Sequence, residues 1–183
     1  MKNGCETPNA SGSAVPQSRS QLLQLVSFSL AGEEFGVDIL KVQEIIRMPA
    51  VTRVPNAPPF VEGVINLRGK VIPVVALRKR FGLEPQARSK NTRIVVVEIA
   101  GATVGFEVDS VSEVLRIPSE TVEPPPRLAK IRNEYVSGVG KLQNRLLFLL
   151  DIARLITESE HGQIHDLASQ AAGSSALPAA VVA

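Results

Sequence analysis

The feature that most constrains this chain is that it repeats itself. Gly63-Val64-Ile65-Asn66-Leu67-Arg68-Gly69-Lys70-Val71-Ile72-Pro73-Val74 returns 75 residues later as Gly138-Val139-Gly140-Lys141-Leu142-Gln143-Asn144-Arg145-Leu146-Leu147-Phe148-Leu149, without a gap. Upstream, Leu25 to Gly32 aligns on Ile94 to Gly101 with an offset of 69. That register continues, so that Gly36 meets Gly105, Val42 meets Val111, Glu44 meets Glu113 and Arg47 meets Arg116. The fold must therefore be one unit built twice. The offset grows by six because the second connector, containing Glu123-Pro124-Pro125-Pro126-Arg127, is longer.

Each unit reads as β-structure. Val26, Phe28 and Leu30 alternate with Ser27 and Ser29, the period of a half-buried strand. Phe35, Val37 and Ile39 form a second alternating run after the turn at Ala31-Gly32-Glu33. The runs flanking Leu67-Arg68-Gly69-Lys70 predict a hairpin with an exposed Asn66/Arg68 tip, Gly69 supplying the positive φ of a tight turn. Pro73 within its second run marks an edge strand or a bulge. Between these hairpins, Asp38 can cap a short helix over 39–47, because Ile39, Val42, Ile45 and Ile46 share one helical arc. Pro49 would stop it. Arg78 to Gly82 reads as one helical turn ended by glycine, residues 84–92 as an exposed loop, and Asp151 as the cap of a closing helix. The proline-rich connectors read as stiff loops.

The predicted organisation is a disordered tail over 1–21, a structured domain over 22–157 with halves of about 22–83 and 92–157, and a flexible tail over 158–183. The lone Cys5 lies in the first tail and excludes an intrachain disulfide, which favours a cytoplasmic home. No apolar run is long enough to cross a bilayer as a helix, and the first twenty residues lack the apolar core of a secretory signal. The formal net charge of +2, with no basic run interleaved with aromatics, points away from nucleic acid.

Catalytic motifs are missing. The two histidines, His161 and His165, have the spacing of a metal pair but lie in the predicted tail without further ligands. No serine sits in a Gly-x-Ser-x-Gly elbow. Gly140-Lys141 has Leu142 where a phosphate loop needs Ser or Thr. Glu34, Asp38, Glu107 and Asp109 stand at strand ends or turns, where capping and solubility explain them. The residues alone describe a duplicated, β-rich domain without a visible active site, cofactor or metal, whose work is binding.

Four segments in order resemble the bacterial chemotaxis coupling protein CheW family. They are Glu34-Phe35-Gly36-Val37-Asp38-Ile39-Leu40-Lys41-Val42-Gln43-Glu44-Ile45, the Gly63 to Val74 hairpin, Val108-Asp109-Ser110-Val111-Ser112-Glu113-Val114-Leu115 and Tyr135-Val136-Ser137-Gly138-Val139-Gly140. The resemblance implies two SH3-like five-stranded β-barrels with short helices and a groove between them. It also implies a non-enzymatic adaptor that links the cytoplasmic signalling tip of methyl-accepting chemoreceptors to the regulatory domain of a CheA-type histidine kinase. Any membrane association would then be indirect, through the receptors. By resemblance the receptor contact falls on Val42, Glu44, Arg68 and Val114, while Gly63 and Gly69 match motif glycines that hold backbone shape. Nothing after residue 157 reads as a receiver domain, so the implied form is the stand-alone adaptor. The same fold in a non-flagellar pathway, such as surface motility or second-messenger control, would look the same in sequence. A small enzyme or ligand-binding barrel would need converging carboxylates that the motifs do not supply.

Overall fold

Eleven strands, two helices and four single 3-10 turns make up a computed structural model that describes residues 20–125, 127 and 133–174. In chain order they are β1 (Leu22–Leu30), β2 (Glu33–Asp38), β3 (Val42–Arg47), β4 (Val61–Leu67), β5 (Lys70–Ala76), the short α1 (Leu77–Arg80), β6 (Arg93–Ile99), β7 (Ala102–Val108), β8 (Ser110–Pro118), β9 (Val122–Glu123), β10 (Val136–Leu142), β11 (Arg145–Leu150) and α2 (Glu158–Ser174). One sheet has the order β3-β6-β7-β5-β4 and the other β8-β1-β2-β11-β10-β9.

Replacing each strand by its repeat equivalent turns the first order into the second, apart from the two-residue β9. The fold is thus mainly β and built twice. The halves are not the sheets, however. β1 and β2 belong by sequence to the first half but complete the second sheet, pairing with β8 and, in parallel, with β11. β6 and β7 reciprocate, pairing with β3 and, in parallel, with β5. Each half donates its first hairpin to the other.

Each sheet closes into a barrel through the segment that follows its repeat-equivalent strand. After β3 the chain returns to β4, where the Thr52 amide donates to Val64 O and the Val64 amide to Thr52 O at 2.9 and 2.8 Å. After β8 it returns as β9 to pair with β10. The return strand presses on a glycine in both cases. A Cβ on Gly63 would stand 2.2 Å from Thr52 O, and one on Gly138 would stand 2.5 Å from a Val122 methyl. Closure removes the exposed hydrogen-bonding edges of each sheet.

The apolar runs follow from this arrangement. Ile94 and Val96 fill the first barrel with Ile65, Ile72 and Val74, while Val95, Val97 and Ile99 point the other way, into a core shared by the two barrels. Leu147 and Leu149 fill the second barrel with Leu25 and Ile117, while Phe148 and Leu150 face the shared core. Strands buried on both faces need uninterrupted apolar sequence. At the centre of the shared core the Phe35 ring lies 6.0, 5.7 and 5.6 Å from those of Phe28, Phe81 and Phe148.

Four expectations change. Residues 42–47 are strand β3, not helix; only Ile39–Lys41 forms a 3-10 turn, with Asp38 Oδ1 accepting from the Leu40 amide at 2.9 Å. Ser27 does not face water. It is fully buried opposite a bulge in β8, donating to Glu113 O at 3.0 Å. Pro73 lies in an interior strand, though β5 meets β7 only over Val74–Ala76, so Pro73 has a partner strand on one side alone. The segment 158–174 is not a frayed tail but the 17-residue α2. Thr157 and Glu160 bond each other's amides as a capping box, and Ile164 and Leu167 are buried in the shared core. Cys5 and the rest of the predicted N-terminal tail up to residue 19, and residues 175–183, lie outside the described residues.

Candidate functional site

The residues predicted to contact a receptor fall on both barrels. On the first barrel, β3 carries a bulge between Val42 and Glu44 that shifts its pairing with β6. The bulge turns Val42 toward the shared core, where it packs half-buried, and sets Glu44 opposite Val96. The β4–β5 turn brings Arg68 to Glu44. Arg68 and Gly69 both have positive φ, 54° and 84°, as the two central positions of a type I′ turn require. Asn66 Oδ1 accepts from the Gly69 amide at 2.9 Å and stiffens the tip.

The consequence is an ion pair of 2.9 Å between Arg68 Nη2 and Glu44 Oε2, spanning the two strands that bound the seam of the first sheet. Glu44 is recessed, while the Arg68 side chain is 79% exposed. An exposed pair of this kind contributes at most about 1 kcal/mol to stability. Its stronger effect is geometric: Glu44 fixes the direction of a guanidinium that keeps other donors free for an incoming acceptor.

Val114 is on β8 of the second barrel, opposite Val26, and is 53% exposed. The structure therefore joins Glu44 and Arg68, sets Val42 on the same strand, and leaves Val114 on the other barrel. Two residues outside the predicted set stand out. Ile45, 40% exposed, is the repeat equivalent of Val114. Arg145 pairs with Glu113, the repeat equivalent of Glu44, at 2.6 Å, and with Glu34 at 3.3 Å. The repeat alignment already held the signal for both, because it placed Glu113 on Glu44 and Val114 on Ile45.

Behind this surface, α1 ties the molecule together. Arg78 Nε donates to Asp109 Oδ1 at 2.7 Å, and Asp109 Oδ2 accepts from the Ala31 amide at 2.9 Å. Burial pushes the Asp109 carboxyl up, but the bonds from Arg78 and Ala31 outweigh it and hold the group below the usual carboxylate value. Arg80 grips Glu160 of α2 with two bonds of 2.7 and 2.9 Å, its guanidinium 4.6 Å from the centre of the Phe60 ring. Burial likewise opposes the charge on Glu160, and the bonds from Arg80 and Thr157 prevail, so its carboxyl also titrates low.

A groove of about 470 Å³ lies between β4, the connector before it and the last turns of α2; it is lined by Val54, Pro55, Val64, Ile65 and Val71 with Arg53, and by no carboxylate. Among the described residues no three His, Cys, Asp or Glu side chains gather as metal ligands, and no helix is long and apolar enough to cross a membrane.

Comparison with known proteins bears on this surface. A family model described as the CheW-like domain matches residues 24–160. The chemotaxis protein CheW of Klebsiella aerogenes is 39% identical over 146 residues, covering 79% of this chain and 88% of that protein. The CheW of Helicobacter pylori is 34% identical over 147 residues, covering 80% and 89%. The crystal structure of the scaffolding protein TtCheW from Thermoanaerobacter tengcongensis is similar with a TM-score of 0.70 at 39% identity, covering 77% of this chain and 92% of that one. Duplicated barrels, matched motifs and identity sustained over most of the domain agree, and the chain belongs to the CheW-like family.

Proposed function

We propose that this protein is a non-catalytic, cytoplasmic adaptor that couples methyl-accepting chemoreceptors to a CheA-type histidine kinase in chemotaxis signalling. The observation that carries the reading is the exposed Arg68 guanidinium, set on Glu44 two residues along β3 from Val42, on the fold of a chemotaxis scaffold. A receptor helix would lay apolar side chains on Val42 and Val114 and a carboxylate on Arg68. The ion pair supplies register and selectivity more than affinity. The kinase's regulatory domain would dock elsewhere on the barrels, leaving this face open to the receptor.

The test is reconstitution with the kinase and a receptor signalling fragment, reading autophosphorylation. Wild type is expected to form a ternary complex and change the kinase rate. Arg68→Glu is expected to lose receptor recruitment while stability moves by no more than about 1 kcal/mol. Unchanged recruitment by the variant would overturn the site, and no binding to such a kinase would overturn the function.

A further inference from the structure

Farther along β3 from Val42 and Glu44, Arg47 stands directly opposite Arg93 of β6. Directly opposed residues of an antiparallel pair project to the same side of the sheet, and like charges there repel. Neither arginine has an ion-pair partner among the described residues. Asp109, just past the end of β7, is held by Arg78, and Glu98, at the far end of β6, accepts from Gln43 at 2.9 Å. Arg93 is also fixed in place. Its Nη1 donates to Lys90 O at 2.8 Å and to Thr92 O at 2.9 Å, within a turn braced by the Ser89 amide bonding Thr92 Oγ1. Two steps along the same face stands the partly exposed Ile45.

We infer that Arg47 and Arg93 form a recognition site for an acidic segment of a partner protein, its carboxylates bridging the two guanidiniums and an adjoining apolar side chain resting on Ile45. Held apart by the strand spacing, two forked donors suit a pair of carboxylates. An exposed aliphatic neighbour, where nucleic-acid surfaces carry stacking aromatics, favours protein over a single strand. The repulsion between the arginines is relieved only when an anion arrives, so the empty site carries a stability cost that the bound site recovers.

This gives the test two independent readouts. Arg47→Glu turns a repelling pair into an attracting one and is expected to raise Tm by roughly 1–3 °C. In the same variant, saturable shifts of the Arg93 Nε–H resonance on adding a hexaglutamate peptide to the full chain are expected to weaken at least tenfold. Arg47→Gln is expected to fall between wild type and Arg47→Glu in both measurements. A lower Tm in Arg47→Glu would overturn the repulsion, and peptide binding that is absent, or unchanged in the variant, would overturn the site. Inorganic phosphate or a hexathymidylate strand binding as tightly as the peptide would overturn the assignment to an acidic protein.

Discussion

Gly63 and Gly138 stand at the same step of their two barrels, yet they are not equally constrained. Gly63 has a φ of 150°, and an added Cβ would strike the backbone carbonyl of Thr52, which cannot withdraw without opening the seam. At Gly138 the nearest atom is a Val122 side-chain methyl, which can rotate, with Glu123 O at 3.1 Å behind it. Gly63→Ala should therefore cost about 3 kcal/mol or more in urea unfolding, and Gly138→Ala clearly less. Gly69 has open space around it and only its φ of 84° to defend, so Gly69→Ala should cost about 1 kcal/mol. Two carboxyls set the response to acid. Asp109 and Glu160 titrate lower in the folded chain than unfolded, so their contribution is present above the ordinary carboxylate range near pH 4 and is lost as pH falls through the folded values. Stability measured by denaturant should decline below about pH 5, and Asp109→Asn should flatten that decline.

Among the elements, those read correctly from sequence are the ones with an unbroken period. The β4–β5 hairpin and its Gly69 turn were plain in the alternation around Leu67 to Lys70, and the repeat carried the reading to β10–β11. β3 carries a helical period in its sequence for a physical reason. Its bulge puts Val42 and Ile45 on one face three residues apart and turns Ile46 inward to Ile94, which reproduces helical spacing in a strand. α2 is hidden in the sequence because only Ile164 and Leu167 reach the shared core and the remainder is polar or small; its Thr157-x-x-Glu160 box is the available signal. The pairing of Glu44 with Arg68 lay beyond sequence reasoning, since it depends on how the barrel closes. A helix with so few buried side chains depends on its anchor. Arg80→Leu would leave the Glu160 charge partly buried without its partner, at a cost of roughly 1–3 kcal/mol. Amide exchange should then quicken across 158–174 while the β6 and β11 amides stay protected.

At the scale of the whole molecule, the repeat announces one β-rich unit built twice but not which strands fill each copy, because two self-similar halves offer each hairpin equivalent edges. The exchange is visible only in the pairings across the halves, of β1 with β8, β2 with β11, β3 with β6 and β5 with β7. It implies that neither half holds a complete barrel. Chains cut within the 84–92 loop should each be unfolded alone by circular dichroism, and should regain the intact spectrum when mixed. The crossings that enforce the exchange are short: the turn Ile39–Lys41 between β2 and β3, and Asp109 between β7 and β8. Two brief tethers at separate points, a common aromatic centre and the Arg78–Asp109 clasp leave no hinge about which one barrel could swing. A torque delivered to one barrel must therefore turn the other with it, and the molecule acts as a stiff lever rather than a flexible tether.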